Sequence, residues 1–488
     1  MLKTILSNSF FSLVADAANR ASQTLLVILV VRRLGESAVG LFTLGNNYVL
    51  LLLPIALWGL DEILIRDTAN NRGQAARYFT HFFMIRLAIA LGVWVFMTVA
   101  LMALRPYSPE ANRFVALFGG VIIGNALSRL GGSLFVALER IWVPASVSLC
   151  VGALQLAAGT VVLLSGQGVE TLAVVLLLAS WVQAATMTWL GRRHLHLGLE
   201  RFKFRTSFCQ KQLKAGFPFV PIALFMAFES QLGAIFLSFY HSQAVIGYYG
   251  MANALISAVA LFSQAIRLGI FPAMARFYQD EFEQFVQLYE RSWRYLSVTS
   301  LPIVILVVLL SDPLMHLIYG RTAQPATVTL QLLAPTLFFY FVNIPNARLI
   351  ILHKSQRVMA RFFGISASVS VLTSIFSVPR FGPQAVAVAR VASMGILFAL
   401  NCIYVHRNIL PLRLWHLVWP SLGASVGMVF TVFVALADQS VWLQSLVGAL
   451  VYASLLVCLG AIPTSDRRWM RQQVQGWAVS DGNKPFSK

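Results

Sequence analysis

The feature that most constrains this chain is the recurrence, from end to end, of apolar stretches about twenty residues long. Hydrocarbon roughly 30 Å thick, crossed at about 1.5 Å per residue, calls for helices of this length, because every buried backbone polar group must be satisfied within its own segment. Fourteen such spans are expected: 9–31, 38–60, 80–103, 114–138, 141–165, 169–190, 216–240, 244–274, 296–311, 326–351, 359–377, 383–405, 414–437 and 441–461. The 58% hydrophobic content, 11% charged residues and mean hydropathy of +0.74 exclude a water-soluble fold. Segments of about ten residues with alternating polarity, which a membrane β-barrel needs, are not seen. The fold class is therefore all-α and polytopic.

Lysine and arginine set the orientation, since short loops rich in them stay in the cytoplasm. With the N-terminus inside, the outer segments hold only Arg32, Arg33, Arg105, Arg113, Arg321 and Arg380, and six more basic residues lie within spans, leaving 25 of the 37 on the cytoplasmic side. Both ends are then cytoplasmic. The net charge of +19 is mostly this bias, and it does not point to a nucleic-acid partner. The first apolar segment carries Asp16 and Arg20 in its middle, so it reads as a retained helix rather than a cleaved signal.

The longest loop, 191–215, is basic and divides the chain. The organisation expected is an N-terminal six-helix lobe (1–190), a basic cytoplasmic linker (191–215), a C-terminal six-helix lobe (216–405), two additional spans (406–461) and a cytoplasmic tail (462–488). The halves echo each other: Gly40 matches Gly247 and Asn46 matches Asn253 at one offset of 207, and Arg66 and Arg86 match Arg276 and Arg294 at 210 and 208. Matches separated by six spans have the same membrane orientation, which gives a parallel repeat about an axis along the membrane normal. Residues 278–294 place Phe282, Phe285, Tyr289 and Trp293 on one helical face and read as an interfacial amphipathic helix.

Charged groups deep in a span are functional candidates, because lipid does not tolerate them without a partner or a cavity. Arg20, Arg129, Arg267 and Arg390 could together make an internal passage cationic, suited to phosphate through the bidentate guanidinium fork. Arg86 and Arg348 fall nearer helix ends, where long side chains reach the headgroups. Asp16 and Glu229, on the first helix of each lobe, are candidates for coupling transport to a proton or sodium ion. An Asp16–Arg20 ion pair and a structural inter-helix bond at Glu229 are the plainer readings. Pro54, Pro218, Pro221, Pro272, Pro335, Pro345 and Pro420 interrupt spans and allow bending. Cys150, Cys209, Cys402 and Cys458 are unpaired in spacing and the histidines are scattered, so no disulfide, metal or cofactor is indicated.

The stretch VVRRLGESAVGLFTLGNNY, followed by LPIALWGLDEILIRDTA, and its echo AVIGYYGMANAL with PAMARF resemble the polysaccharide (Wzx-type) flippases of the multidrug, oligosaccharidyl-lipid and polysaccharide exporter superfamily. The resemblance implies two six-helix lobes plus two extra helices in the bacterial cytoplasmic membrane. It also implies passage of undecaprenyl-pyrophosphate-linked oligosaccharide from the inner to the outer leaflet for O-antigen or exopolysaccharide assembly. Its expected partners are that lipid-linked substrate, membrane lipids, a coupling ion and polysaccharide polymerase or assembly proteins. A multidrug antiporter or a peptidoglycan-precursor flippase of the same superfamily are the alternatives. An enzyme such as a polymerase or ligase is not expected, because the outer loops are short and Asp312, His316 and Arg321 form no convincing acid/base pair.

Overall fold

The computed structural model describes residues 2–104, 107–195, 206–353, 355–411, 414–436 and 438–461. The expected tail, 462–488, and the middle of the basic linker, 196–205, lie outside the described residues. Among those described, thirteen stretches are long and apolar enough to cross a membrane. One of them, Arg357–Asn408, has 52 residues, which at about 1.5 Å each would reach more than twice the hydrocarbon thickness. It folds back at Gly382, whose φ of 57° and ψ of −133° are open to glycine alone. Across that bend Ser366 and Ser393 each donate a hydroxyl to the other's carbonyl at 2.9 Å, so the two arms are the antiparallel spans expected at 359–377 and 383–405.

The first half comprises α1 (Leu2–Leu34), α2 (Glu36–Leu57), a short α3 (Leu60–Asn70), α4 (Ala75–Leu104), α5 (Pro109–Gly119), α6 (Val121–Ala137), α7 (Trp142–Leu164) and α8 (Val169–His194). A linker helix, α9 (Thr206–Gly216), leads to α10 (Phe219–Tyr240), α11 (Gln243–Asp280), α12 (Phe282–Leu309), α13 (Ser311–Tyr319), α14 (Ala326–Leu333), α15 (Pro335–Leu352) and α16 (Gln356–Asn408). The chain closes with α17 (Leu414–Phe430), extended by a π-helical turn at Thr431–Ala435, and α18 (Val441–Cys458). These last helices pack on α12, where the Tyr452 hydroxyl donates to the Val298 carbonyl at 2.8 Å.

Two expectations are corrected. Residues 278–294 do not form an interfacial surface helix. Most of them belong to α12, which runs unbroken from Phe282 into the ninth span, so that span begins fourteen residues earlier than expected. Phe285, Tyr289 and Trp293 are fully buried, and Tyr289 and Trp293 both donate to the Asn346 side-chain oxygen, at 2.5 and 3.3 Å. The charges of Glu290, Arg291 and Arg294 disguised a spanning helix as a surface one. Arg86 is likewise not a headgroup anchor: α4 starts at Ala75, which puts Arg86 roughly 16 Å along the helix, where it is 0% exposed.

The halves meet along α2, α10 and α11. At what we call the distal end, where α2 begins, Gly40 faces Gln243 and Gly247 faces Glu36 so closely that a Cβ on either would overlap the opposing carbonyl oxygen. Small residues let the two backbones touch, the usual means of helix association in lipid. One apolar cluster, including Val39, Leu44, Leu237, Ile246 and Tyr249, runs through both halves around this contact.

Candidate functional site

The organisation of the first half centres on α6. Thirteen of its seventeen residues are buried, because glycine, alanine and serine let α3, α4 and α8 close around it. Its one exposed side chain is Arg129, 59% accessible. Beside it runs the corner between α2 and α3. Trp58 and Gly59 both take left-handed conformations, with φ of 50° and 65°, and end α2 so that α3 starts in a new direction. A Cβ at Gly59 would also strike the Gly216 carbonyl, so glycine is needed there for shape as well as for conformation.

The corner presents Asp61 on the first turn of α3, where the helix dipole favours an acid. Its Oδ1 accepts from Arg86 Nη1 at 2.7 Å and from the Ser133 hydroxyl at 2.8 Å, while Oδ2 stands 3.6 Å from Arg129 Nε. Arg86 also donates to the carbonyls of Leu57 and Ala126, both at 3.2 Å. A fully buried guanidinium survives in a membrane bundle because these oxygens surround it. The open side of the cluster is a cavity of about 450 Å³ that also reaches Asp16, Glu62, Ser148 and Gln183. Asp16 and Arg20 are both exposed on α1.

The second half holds a different cluster. Arg390, 8% exposed, donates to Asn253 at 2.8 Å, to the Tyr340 hydroxyl at 2.7 Å and to the Tyr249 hydroxyl at 3.3 Å. Glu229 lies close enough to interact with its charge, and Glu229 Oε1 is buried with no hydrogen-bond partner among the described residues. The side chain of Arg267 lies outside the described residues. Thus Arg129 and Arg390 belong to separate clusters, one in each half, and Asp61, which the sequence reading did not single out, is the residue on which the first cluster depends.

The distal end is fastened by polar contacts between the halves. Arg32, at the end of α1, donates to the carbonyls of Ile318 at 3.0 Å and Leu317 at 2.7 Å. Ser238 gives its proton to the Ile235 carbonyl, so Tyr107 donates to Ser238 at 2.7 Å and accepts from Tyr48 at 2.8 Å. Burial, together with the neighbouring Tyr48, pushes the Tyr107 phenol above its ordinary range, and it remains the protonated donor. At the opposite, proximal end the Trp58 indole donates to the Leu213 carbonyl of α9 at 3.1 Å.

A family model described as "Polysaccharide biosynthesis protein" matches residues 53–328. The chain belongs to that family. No curated protein sequence matches it significantly. Among solved structures it is similar to "Lipid II flippase MurJ, inward closed conformation", with a TM-score of 0.75 at 14% identity over 92% of this chain and 98% of that one. An inward-facing multidrug resistance MATE family transporter of the MOP superfamily gives 0.63 at 12% identity, over 85% of this chain and 98% of that one. An outward-facing MATE structure gives 0.58 at 13%, over 85% and 96%. The fold of this family member is thus that of the MOP transporters, and it is a multi-pass membrane protein.

Proposed function

We propose that this family member is a flippase. It moves undecaprenyl-pyrophosphate-linked oligosaccharide units from the inner to the outer leaflet of the bacterial cytoplasmic membrane, for O-antigen or exopolysaccharide assembly, by ion-coupled alternating access. The observation that carries the reading is Arg129, the one exposed side chain of an otherwise buried helix, standing in a charged cavity of a membrane bundle whose halves are fastened at the distal end. The distal end is the outer side in this reading, and both termini are cytoplasmic. The higher TM-score against the inward-facing than the outward-facing MATE structure agrees with that state.

Arg20 and Arg129, both exposed, meet the diphosphate first. Arg267 and Arg390 continue the passage in the second half, while the polyprenyl tail stays in lipid. Asp16 or Glu229 carries the coupling proton or sodium ion; Glu229, whose buried Oε1 has no hydrogen-bond partner among the described residues and lies near Arg390, is the better placed. Polysaccharide polymerase or assembly proteins receive the product. The TM-score of 0.75 against a Lipid II flippase favours one second reading, a peptidoglycan-precursor flippase. The deciding experiment measures leaflet accessibility of lipid-linked sugar in depleted and complemented cells. Accumulation of the oligosaccharide lipid facing the cytoplasm on depletion supports the first reading, accumulation of the peptidoglycan precursor supports the second, and an unchanged distribution of both removes the flippase assignment.

A further inference from the structure

The cavity beside α6 offers more carboxylates than cations in its lining, so its interior has more to hold than the diphosphate that Arg129 meets. Three carboxylates, Asp16, Asp61 and Glu62, line it against the single guanidinium of Arg129. The second cation, Arg86, lies behind the wall with no exposed surface and is committed to Asp61 and two carbonyls. With Asp61 neutralised by Arg86, an entering diphosphate would find one guanidinium, shared with the carboxylates already beside it, against its own two phosphate groups. Among the described residues, no group of three or more acidic, histidine or cysteine side chains is placed to hold a metal ion.

What the lining offers is a dense mixture of donors and acceptors. Asp61 Oδ2 and Glu62 accept, the Arg129 guanidinium donates, and the Gln183 amide does both. They come from three elements, α3, α6 and α8, and Asp61 is held in place by Arg86 and Ser133. A fixed carboxylate, with a second carboxylate and amide and guanidinium donors beside it, matches a ligand whose surface is hydroxyl groups, each able to donate once and accept twice. A volume of about 450 Å³ lies within the range of sites that enclose small molecules.

We propose that this cavity is a glycan subsite, which takes sugar hydroxyls of the lipid-linked substrate while the diphosphate is held outside it on Arg20 and the far face of Arg129. The inference rests on the flippase reading and adds to it the element that distinguishes a glycan-bearing lipid from its bare carrier. Asp61 is held too firmly to move. Selectivity then lies with Glu62 and Gln183, which are not needed to neutralise Arg86.

The test compares two probes on the full chain in lipid nanodiscs: undecaprenyl diphosphate, and the same lipid carrying a single N-acetylhexosamine. The wild-type protein binds the sugar-bearing lipid more tightly. Glu62→Gln and Gln183→Ala, both at accessible positions and expected to fold, each reduce that preference by about tenfold, the loss expected of one hydrogen bond to a charged or well-placed group, and leave the affinity for the bare lipid unchanged. An undiminished preference in both variants, or an equal loss of affinity for both lipids, overturns the glycan subsite while the flippase reading stands. Failure of the wild-type protein to bind either lipid removes the flippase reading and the subsite with it.

Discussion

Gly40 and Gly247, which occupy corresponding positions in the two halves of the sequence, lie against each other: a Cβ on Gly247 would sit 3.2 Å from the Gly40 amide nitrogen. Equivalent residues of a repeat can touch only near the axis that relates the copies, so this contact is the one that the parallel repeat expected from the sequence requires. It also marks a place with no room. Gly40→Leu is expected to push α2 and α11 apart at the distal end and shift the protein away from the fastened state. Spin labels on Arg113→Cys and Tyr240→Cys, both exposed near that end, will report a longer distance in the Gly40→Leu background. An unchanged distance would mean that the halves separate elsewhere.

The fastening by Arg32 has backbone acceptors, so only its donor can be removed. Arg32→Ala loses two bonds, each worth about 1 kcal/mol net, and should shift the equilibrium between fastened and open states by about tenfold or more. Arg32→Lys recovers only part, because a single ammonium does not span both carbonyls as the guanidinium fork does. The same label pair measures the populations. Tyr107→Phe, which removes the link from Tyr48 to Ser238, should add to the Arg32→Ala effect, since the two contacts share no residue.

Asp61 and Arg129 should separate stability from transport. Asp61→Asn leaves the fully buried Arg86 without its counter-charge, and loss of one partner of a buried pair costs about 3–5 kcal/mol. Thermal unfolding in detergent should show a clear fall in Tm, largely reversed in Asp61→Leu/Arg86→Met, where neither charge remains. Arg129→Ala, at an exposed position, should keep the wild-type Tm and lower translocation at least tenfold. If Arg129→Ala unfolds as early as Asp61→Asn, Arg129 is part of the scaffold and the passage must run elsewhere.

The spans were legible in the sequence because they depend on local pattern: twenty apolar residues announce themselves, and Gly40 and Gly247, matched there by order and spacing, lie against each other. Depth was not legible. Placing the third span at residue 80 rather than Ala75 put Arg86 about 9 Å from the helix start rather than roughly 16 Å, enough to turn a buried ion-pair partner into a headgroup anchor. Asp61 went unnoticed because it stands in no span; it reaches Arg86 only after the left-handed pair Trp58 and Gly59 turns the chain. Arg390 was legible as an intramembrane charge, but its acceptors, Tyr249, Asn253 and Tyr340, come from two other helices and share no spacing with it. The two polar clusters are built from unlike residues, so the matches between the halves of the sequence carried no information about the site.

Glu229 and Arg390 offer a test of coupling. Glu229→Gln keeps the shape and removes the charge, so the fold should persist while translocation loses its dependence on the ion gradient. Transport in vesicles with and without an imposed pH or sodium gradient distinguishes the outcomes. A variant that still responds fully to both gradients would move the coupling role to Asp16.

Cys209 reports whether the linker helix stays docked. It is buried where α9 lies on the first half, next to Phe208, which sits under the Arg77 guanidinium at 4.5 Å and against the rings of Tyr78 and His81. Burial pushes the Cys209 thiol up from its ordinary value, so the docked helix holds the neutral form. The thiolate is the reactive species, and two consequences follow. In a variant with Cys150, Cys402 and Cys458 replaced by serine, maleimide labelling of Cys209 should be slow near neutral pH and should keep rising with pH beyond the range of a free thiol. The sign for stability is the reverse: docking favours the thiol, so its contribution is complete below the free-thiol range and is lost as pH climbs through the raised value. Trp58→Phe, which breaks the bond to the Leu213 carbonyl, should loosen α9 and speed labelling several-fold at pH 7. If α9 releases during transport, adding the lipid-linked substrate to the intact linker should speed labelling in the same way, whereas a rate that ignores substrate would make α9 a fixed part of the first half through the whole cycle.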